Sequence, residues 1–168
     1  MRVLTRRLLA PLLALAALGV VPVARAQDSG IQIGAKAPAV IVQTLDGTTV
    51  DLAQFYGKSP VLIEFWATWC PVCKELEPRM KAAHARYGTS VKFIGVSVNV
   101  NQTIPRVKAF IAKYGIPGDQ YWDGKGDATD KYDVPATSYV VIIDKSGKVV
   151  YTGVGGDQDL EAALKKAL

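Results

Sequence analysis

The 168-residue sequence is poor in the side chains that bind metals, with two cysteines, two methionines and one histidine. Fourteen residues separate the histidine, His84, from the first cysteine, Cys70. That separation is about 21 Å along a helix that rises 1.5 Å per residue, so His84 cannot share a metal ion with the cysteines. Repeats, nucleotide-binding loops and cofactor signatures are also missing. We therefore expect neither a bound metal nor a cofactor.

The first 26 residues differ in composition from the rest of the chain. They contain four arginines and no acid, an apolar run from Leu8 to Val23, and the closing tripeptide Ala24-Arg25-Ala26. This order predicts a secretory signal peptide over 1–26 that is cleaved after Ala26, and an uncleaved membrane anchor is the alternative. No cysteine lies near the cut to carry a lipid. We expect a periplasmic or otherwise extracytoplasmic protein with no membrane span after cleavage.

The net charge of +5 comes mostly from this leader. Without its four arginines, 16 basic residues face 15 acidic ones (20 − 4 against 15), so the remaining chain is close to neutral. A near-neutral surface gives no reason to expect nucleic acid or an anionic membrane as a partner.

Both cysteines lie in one short motif, Cys70-Pro71-Val72-Cys73. A structural disulfide stabilises most when it closes a long loop, and a four-residue loop contributes only about 2 kcal/mol. A domain of this size folds without such help. The spacing therefore favours a reactive pair over a structural one.

The pattern of strands and helices predicts one domain. We interpret residues 27–37 as a flexible arm and residues 38–168 as an α/β domain in which strands alternate with helices around a mixed sheet, a three-layer α/β/α sandwich. The predicted strands are 39–44, 48–50, 61–65, 92–98, 120–122, 139–143 and 148–154, and the predicted helices are 71–87, 104–114, 127–132 and a last helix capped by Asp157 that carries Leu160, Leu164 and Leu168.

The first cysteine follows a buried strand and stands at the start of the helix predicted over 71–87. Free backbone N–H groups and the helix dipole favour a thiolate at such a position. Cys73 lies one helical turn later, where it can attack a mixed disulfide formed by Cys70. We expect Cys70 to be accessible, Cys73 to be packed beneath it, and the pair to catalyse thiol–disulfide exchange.

The segment from Glu64 to Lys74, EFWATWCPVCK, with Pro78 five residues after Cys73, resembles the active-site region of thioredoxins. The hairpin over 39–50 and the strand-helix insertion over 99–122 are similar to the TlpA-like extracytoplasmic branch, which includes reductases that serve cytochrome c maturation. The resemblance covers residues 38–168. It implies a thioredoxin-like fold, a Cys70–Cys73 disulfide, disulfide-containing client proteins, a membrane thiol-electron transporter as reductant, and a monomer.

Glu64 interrupts a wholly apolar strand six residues before Cys70, where the resemblance places the buried acid of thioredoxins. Burial should raise the pKa of this carboxyl group, which would let it exchange a proton with Cys73. The alternative is a carboxyl paired with a lysine or a backbone group at a sheet edge. TlpA-like proteins often carry an uncharged residue here, so this chain departs from them towards thioredoxin.

A second departure concerns the cis-proline that the family places opposite the disulfide. Counting back from Asp144 puts that position at Ser138, whereas Pro135 lies three residues early. A cis bond before a non-proline residue costs about 3 kcal/mol, so the loop is either trans or shifted to use Pro135. If Ser138 occupies the cis-proline position, the docking of a substrate beside Cys70 is altered. The serine hydroxyl then replaces the proline that normally keeps metal ions away from the sulfurs. The expected docking residues are Trp69, Pro71, Val72, Thr137 and Ser138.

Reduction of disulfides is the leading function on this resemblance, and three alternatives are open. A disulfide oxidant or isomerase uses the same sulfurs and differs in redox potential. A Cu(I) chaperone would use Cys70 and Cys73 as soft ligands, although beyond the leader only Met80 adds another methionine. A peroxidase needs a threonine three residues before its nucleophile, and that position is Ala67.

Overall fold

The computed structural model describes residues 29–168, so the predicted signal peptide lies outside the described residues. No helix within this part of the chain is both long and apolar enough to cross a membrane. The strands are β1 (Ile41–Thr44), β2 (Thr49–Asp51), β3 (Val61–Trp66), β4 (Lys92–Val98), β5 (Asp119–Asp123), β6 (Tyr139–Ile143) and β7 (Val149–Val154), and the helices are α1 (Pro71–Tyr87), α2 (Ile104–Tyr114), α3 (Asp127–Lys131) and α4 (Leu160–Leu164).

These strands form one mixed sheet in the order β2-β1-β5-β4-β3-β6-β7. The central strands β3, β4 and β5 are parallel, while β1, β6 and β7 join antiparallel to their neighbours. Every residue of β3 and β6 is buried, as expected for strands that are apolar at all positions but Glu64 and lie in a sheet covered on both faces.

Helices cover both faces of the sheet. Successive side chains of a strand point to opposite faces. Accordingly, Leu62 of β3 packs in one cluster with residues of α1 and α4, and the Phe65 ring lies 5.5 Å from that of Tyr132, directly after α3. Helix α2 lies beside α1, where the Lys81 ammonium donates to the Tyr114 carbonyl. The predicted three-layer sandwich is confirmed.

The flexible arm predicted over 27–37 is wrong for residues 29–37. The Ile31 amide donates to the Tyr132 carbonyl, the Gly34 amide donates to the Val149 carbonyl, and the Val149 amide donates back to Ala35. Ala37 is buried. The prediction failed because the polar composition of this segment gives no sign of the hydrogen bonds that its backbone forms with the rest of the domain.

The cap of the last helix is also corrected. The Asp159 carboxylate accepts the Ala162 amide at 2.9 Å, so Asp159 rather than Asp157 caps α4. Asp157 pairs with Arg79 of α1 instead. The helix ends at Leu164, which leaves Leu168 exposed rather than on the predicted apolar face.

Candidate active site

Cys70 and Cys73 form a disulfide at the junction of β3 and α1. Cys70 is the N-cap of α1, with Pro71 at the first helical turn. The Cys73 amide donates to the Cys70 Sγ at 3.0 Å. Because this N–H group and the positive end of the helix both face the Cys70 sulfur, they favour a thiolate there after reduction.

The disulfide is recessed, which corrects the expected difference in exposure between the two cysteines. Cys70 is 2% exposed and Cys73 is 8% exposed, so Cys70 is not the accessible member of the pair in the oxidised state. The cause is the N-cap geometry, which folds the Cys70 side chain back over the first turn of α1. The two roles are therefore distinguished by hydrogen bonding and by neighbours, not by exposure.

The exposed surface around the disulfide comes from an apolar rim formed by Trp69, Val72 and Val100. Trp69 is 40% exposed and Val72 is 36% exposed, and Pro71 between the cysteines is exposed as well. The Trp69 Nε1–H group donates to the Val100 carbonyl at 2.7 Å, which holds the indole ring against the β4–α2 loop. A partner that reaches the sulfurs has to contact this rim.

Glu64 lies on the inner side of the disulfide. Its strand is internal to the sheet, and no residue of 29–168 forms a hydrogen bond or salt bridge with its carboxyl group, so the alternative of a paired acid at a sheet edge is wrong. Burial, reinforced by the charge of Glu77, raises the pKa of Glu64 to about 8. The predicted upward shift is confirmed.

Glu64, Glu77 and Cys73 line a common cavity of about 20 Å³ under the disulfide. A volume of about 15 Å³ is enough for one water molecule where polar groups are available to bind it. The cavity can therefore connect the Glu64 carboxyl group to the Cys73 sulfur through a single proton carrier.

Ser138 immediately precedes β6 and is fully buried. Its amide donates to the Phe65 carbonyl at 2.8 Å, and its hydroxyl donates to the Gly155 carbonyl at 3.0 Å. All peptide bonds of the described chain are trans, and Ser138 has a left-handed φ of 65°. The loop has thus not shifted to place Pro135, which is exposed, at this position.

The loop after β7 links Ser138 to the start of α1. A Cβ atom added to Gly156 would lie 3.2 Å from the Val72 carbonyl and closer still to Glu75. Glycine is required where two backbones approach this closely. The structure therefore brings Ser138 and Val72 to opposite sides of one short glycine loop, while Thr137 is half-buried beside it.

Two glutamines missed by the sequence analysis position the segment before Cys70. The Gln102 Oε1 accepts the Thr68 amide at 2.9 Å, and the Gln120 Oε1 accepts the Trp66 Nε1–H at 3.1 Å. A Cβ atom on Gly95 would overlap the Gln120 side chain. Glycine inside a buried strand marks such a close approach, so Gly95 could have indicated that a side chain packs against β4 at this position. Nothing in the sequence indicated the contact made by Gln102.

The soft ligands near this site are the two cysteines and Met80, which lines the same cavity as Cys73. The described residues contain no cluster of three or more histidine, cysteine, aspartate or glutamate side chains that could hold a metal ion.

Comparisons with known proteins agree with this geometry. The Redoxin family matches residues 32–168. Thiol-disulfide oxidoreductase ResA of Bacillus thuringiensis subsp. konkukian is 31% identical over 143 residues, which cover 83% of this chain and 81% of ResA. Thioredoxin-like protein YneN of Bacillus subtilis is 29% identical over 141 residues, which cover 82% of each chain.

Solved structures show the same fold. The crystal structure of a proposed thiol:disulfide interchange protein DsbE from Chlorobium tepidum aligns with a TM-score of 0.72 and 27% identity, covering 82% of this chain and 98% of that one. The chain therefore belongs to the Redoxin family and is a thiol–disulfide oxidoreductase with a thioredoxin-like fold.

Proposed function

We propose that this protein reduces disulfide bonds of client proteins outside the cytoplasm through the Cys70/Cys73 dithiol. The observation that carries the proposal is the buried Glu64 carboxyl group, which shares a cavity with Cys73 and not with Cys70. A reductase needs a base at its second cysteine, because that thiol has to lose a proton before it can release the client.

The reaction begins with attack of the Cys70 thiolate on one sulfur of the client disulfide. The client S–S bond breaks, a mixed disulfide forms with Cys70, and the leaving client thiolate takes a proton from solvent. Glu64 then accepts the Cys73 thiol proton, and the Cys73 sulfur attacks Cys70. The second client thiolate leaves and is protonated, so the client gains two electrons and two protons while Cys70–Cys73 becomes a disulfide.

The place of action and the partners belong to the same proposal. The basic, apolar and A-x-A pattern of residues 1–26 supports export, and the TlpA-like resemblance supports re-reduction by a membrane thiol-electron transporter. That resemblance also supports cytochrome c maturation as the process that the clients serve, with the reductase acting as a monomer.

A redox titration of Cys70–Cys73 against glutathione or dithiothreitol tests the direction of exchange. A reduction potential near that of thioredoxin, about −270 mV, is the expected result, whereas a value near −120 mV would identify an oxidant and contradict the proposal. Tight stoichiometric Cu(I) binding with poor disulfide turnover would contradict it in favour of a copper chaperone. Fractionation of cells and sequencing of the mature N-terminus test export and cleavage after Ala26.

A further inference from the structure

A basic groove lies between α1 and α2, next to the active site. Its lining includes Thr68, Lys74, Arg106, Phe110, Lys113 and Tyr114. Thr68 stands two residues before Cys70 and Lys74 directly follows Cys73, so the inner end of the groove adjoins the disulfide. No acidic residue lines it.

The three cations of the groove have no ionic partner among residues 29–168, since Lys74, Arg106 and Lys113 form no salt bridge there. Neighbouring lysines behave differently: Lys81 pairs with Glu77, and Lys108, on another side of α2, pairs with Asp46. Lys74 also lines the cavity that contains Glu64 and Glu77, so Arg106 and Lys113 are the two groove cations that are available to an ionic partner.

Aromatic rings form the floor of the groove. The rings of Phe110 and Tyr114 lie 4.5 Å apart, and the ammonium groups of Lys74 and Lys113 lie 5.9 Å and 5.1 Å from the centres of these two rings. At the inner end, Thr68 is 5% exposed, and its hydroxyl has no hydrogen-bond partner in the described part of the chain. The groove therefore offers apolar contact and positive charge together, and the Thr68 hydroxyl is buried at its inner end.

The length of the groove favours a polypeptide over a small anion. Arg106 and Lys113 are seven residues apart on one helix, a separation of about 10.5 Å along its axis. An extended chain advances about 3.3 Å per residue, so two acidic side chains three residues apart match the two cations. A small anion would contact both cations only if the two side chains converged on it, whereas an extended acidic segment meets them as they are spaced.

We propose that the basic groove binds an acidic segment of the polypeptide partner that exchanges disulfides at Cys70. The inference rests on the proposed function only in that the partner is a polypeptide. Complementary charge speeds association and selects among partners, and its effect decreases in salt. The inserted segment that contains α2 thus supplies recognition, and the cysteine motif supplies the chemistry.

Three disulfide-containing peptides test the proposal, identical except for a Glu-x-x-Glu, Gln-x-x-Gln or Lys-x-x-Lys pair beside the disulfide. We expect the reduced protein to react with the glutamate peptide about fivefold faster than with the glutamine peptide, and the lysine peptide to be slowest. Salt of about 0.5 M should remove most of the difference. The double variant Arg106→Gln/Lys113→Gln should lose the preference.

The double variant Lys108→Gln/Lys125→Gln is the matched control, because it removes the same charge from exposed positions outside the groove. Equal rates with the three peptides, or equal loss of preference in both double variants, would overturn the inference. So would inorganic phosphate that binds as tightly as the glutamate peptide in calorimetry, since that identifies a general anion site.

Failure of the proposed function gives a different result. If no peptide is reduced, the reductase assignment is wrong, and calorimetry with the glutamate peptide carrying serine in place of cysteine still decides whether the groove binds it. Binding that the groove variant loses and the control variant keeps supports the inference, and absence of binding overturns it.

Discussion

The two sides of the Cys70–Cys73 disulfide are built for different tasks. The outer side presents the exposed Trp69 and Val72 of the apolar rim, next to the basic groove. The inner side holds a cavity of about 20 Å³ that Glu64 shares with Cys73. The two sides share Lys74 and Phe110, which line both the cavity and the basic groove, but Trp69 and Val72 lie outside the cavity and Glu64 lies outside the groove. Substitutions at these unshared residues should therefore be able to alter contact with a partner or movement of the proton separately.

The largest effects are expected where the two sides meet, at the sulfurs. Cys70→Ser should reduce insulin-disulfide reduction to the background rate, because the attacking thiolate is lost. Cys73→Ser keeps the attack but loses resolution, so mixed disulfides with clients should accumulate and be visible on non-reducing gels. Insulin reduction by Cys70→Ser, or trapping by that variant instead of Cys73→Ser, would contradict the assigned roles.

On the inner side, Glu64→Gln should slow resolution of the mixed disulfide about tenfold to a hundredfold, in the range of general acid–base catalysis. The rate of the native protein should rise with pH through about 8, the pKa of Glu64, because only the carboxylate accepts the Cys73 proton. The variant should lack this inflection. Single-turnover kinetics between pH 6 and pH 9 measure the rate of resolution in both proteins. If Glu64→Gln has the same pH–rate profile as the native protein, Glu64 does not take part in the mechanism.

The same substitution should also alter how the free energy of unfolding depends on pH. Folding raises the pKa of Glu64 from 4.5 to about 8, so between these values the unfolded chain releases a proton that the folded protein retains. The free energy of unfolding should therefore fall as the pH rises through this window, by about 1.4 kcal/mol per pH unit. Denaturant unfolding at pH 5 and pH 8 should show a smaller fall for Glu64→Gln than for the native protein.

On the outer side, Trp69→Ala should raise the KM for protein disulfides about tenfold, as expected for an exposed aromatic side chain at a contact surface. Trp69→Phe keeps the ring but loses the hydrogen bond to Val100 and should have a smaller effect. Ile33→Ala is the control, because it truncates an exposed apolar side chain far along the sequence. Equal effects of Trp69→Ala and Ile33→Ala would show that the rim is not used.

The smallest expected effect is that of Glu77, on the inner side of the disulfide. The charge of Glu77 helps to raise the pKa of Glu64, so Glu77→Gln should move the inflection in the rate profile to lower pH, with about a twofold rate increase or less at pH 7. Glu75→Gln, on the same helix but exposed and outside the cavity, should leave the profile in place. A shift with both variants would indicate a general charge effect.

Much of the fold was predictable because strong local signals agreed. The apolar run of β3 and the Pro71 that starts α1 predicted both elements closely, since burial and proline geometry each act over a few residues. The cap of α4 was not predictable, because Asp157 and Asp159 can both cap a helix. The pairing of Asp157 with Arg79 depends on how α1 and α4 pack.

The candidate site divides in the same way. Cys70, Cys73 and Glu64 were found because each breaks a local pattern, most clearly an acid within an apolar strand. The Gln102 contact and the basic groove were missed, because they depend on the position of α2 beside α1. That position follows from the order of strands in the sheet, which residue spacing along one element does not encode.

The segment of residues 29–37 has a consequence for self-association. Both backbone groups of Val149, at the start of the outermost strand β7, are bonded to Gly34 and Ala35, and a register shift interrupts the pairing of β6 with β7 nearby. At the opposite border, β2 is only three residues long. Edge strands that are partly covered, irregular or short offer few unpaired backbone groups to a strand of a neighbouring chain. These features therefore disfavour edge-to-edge aggregation of the sheet.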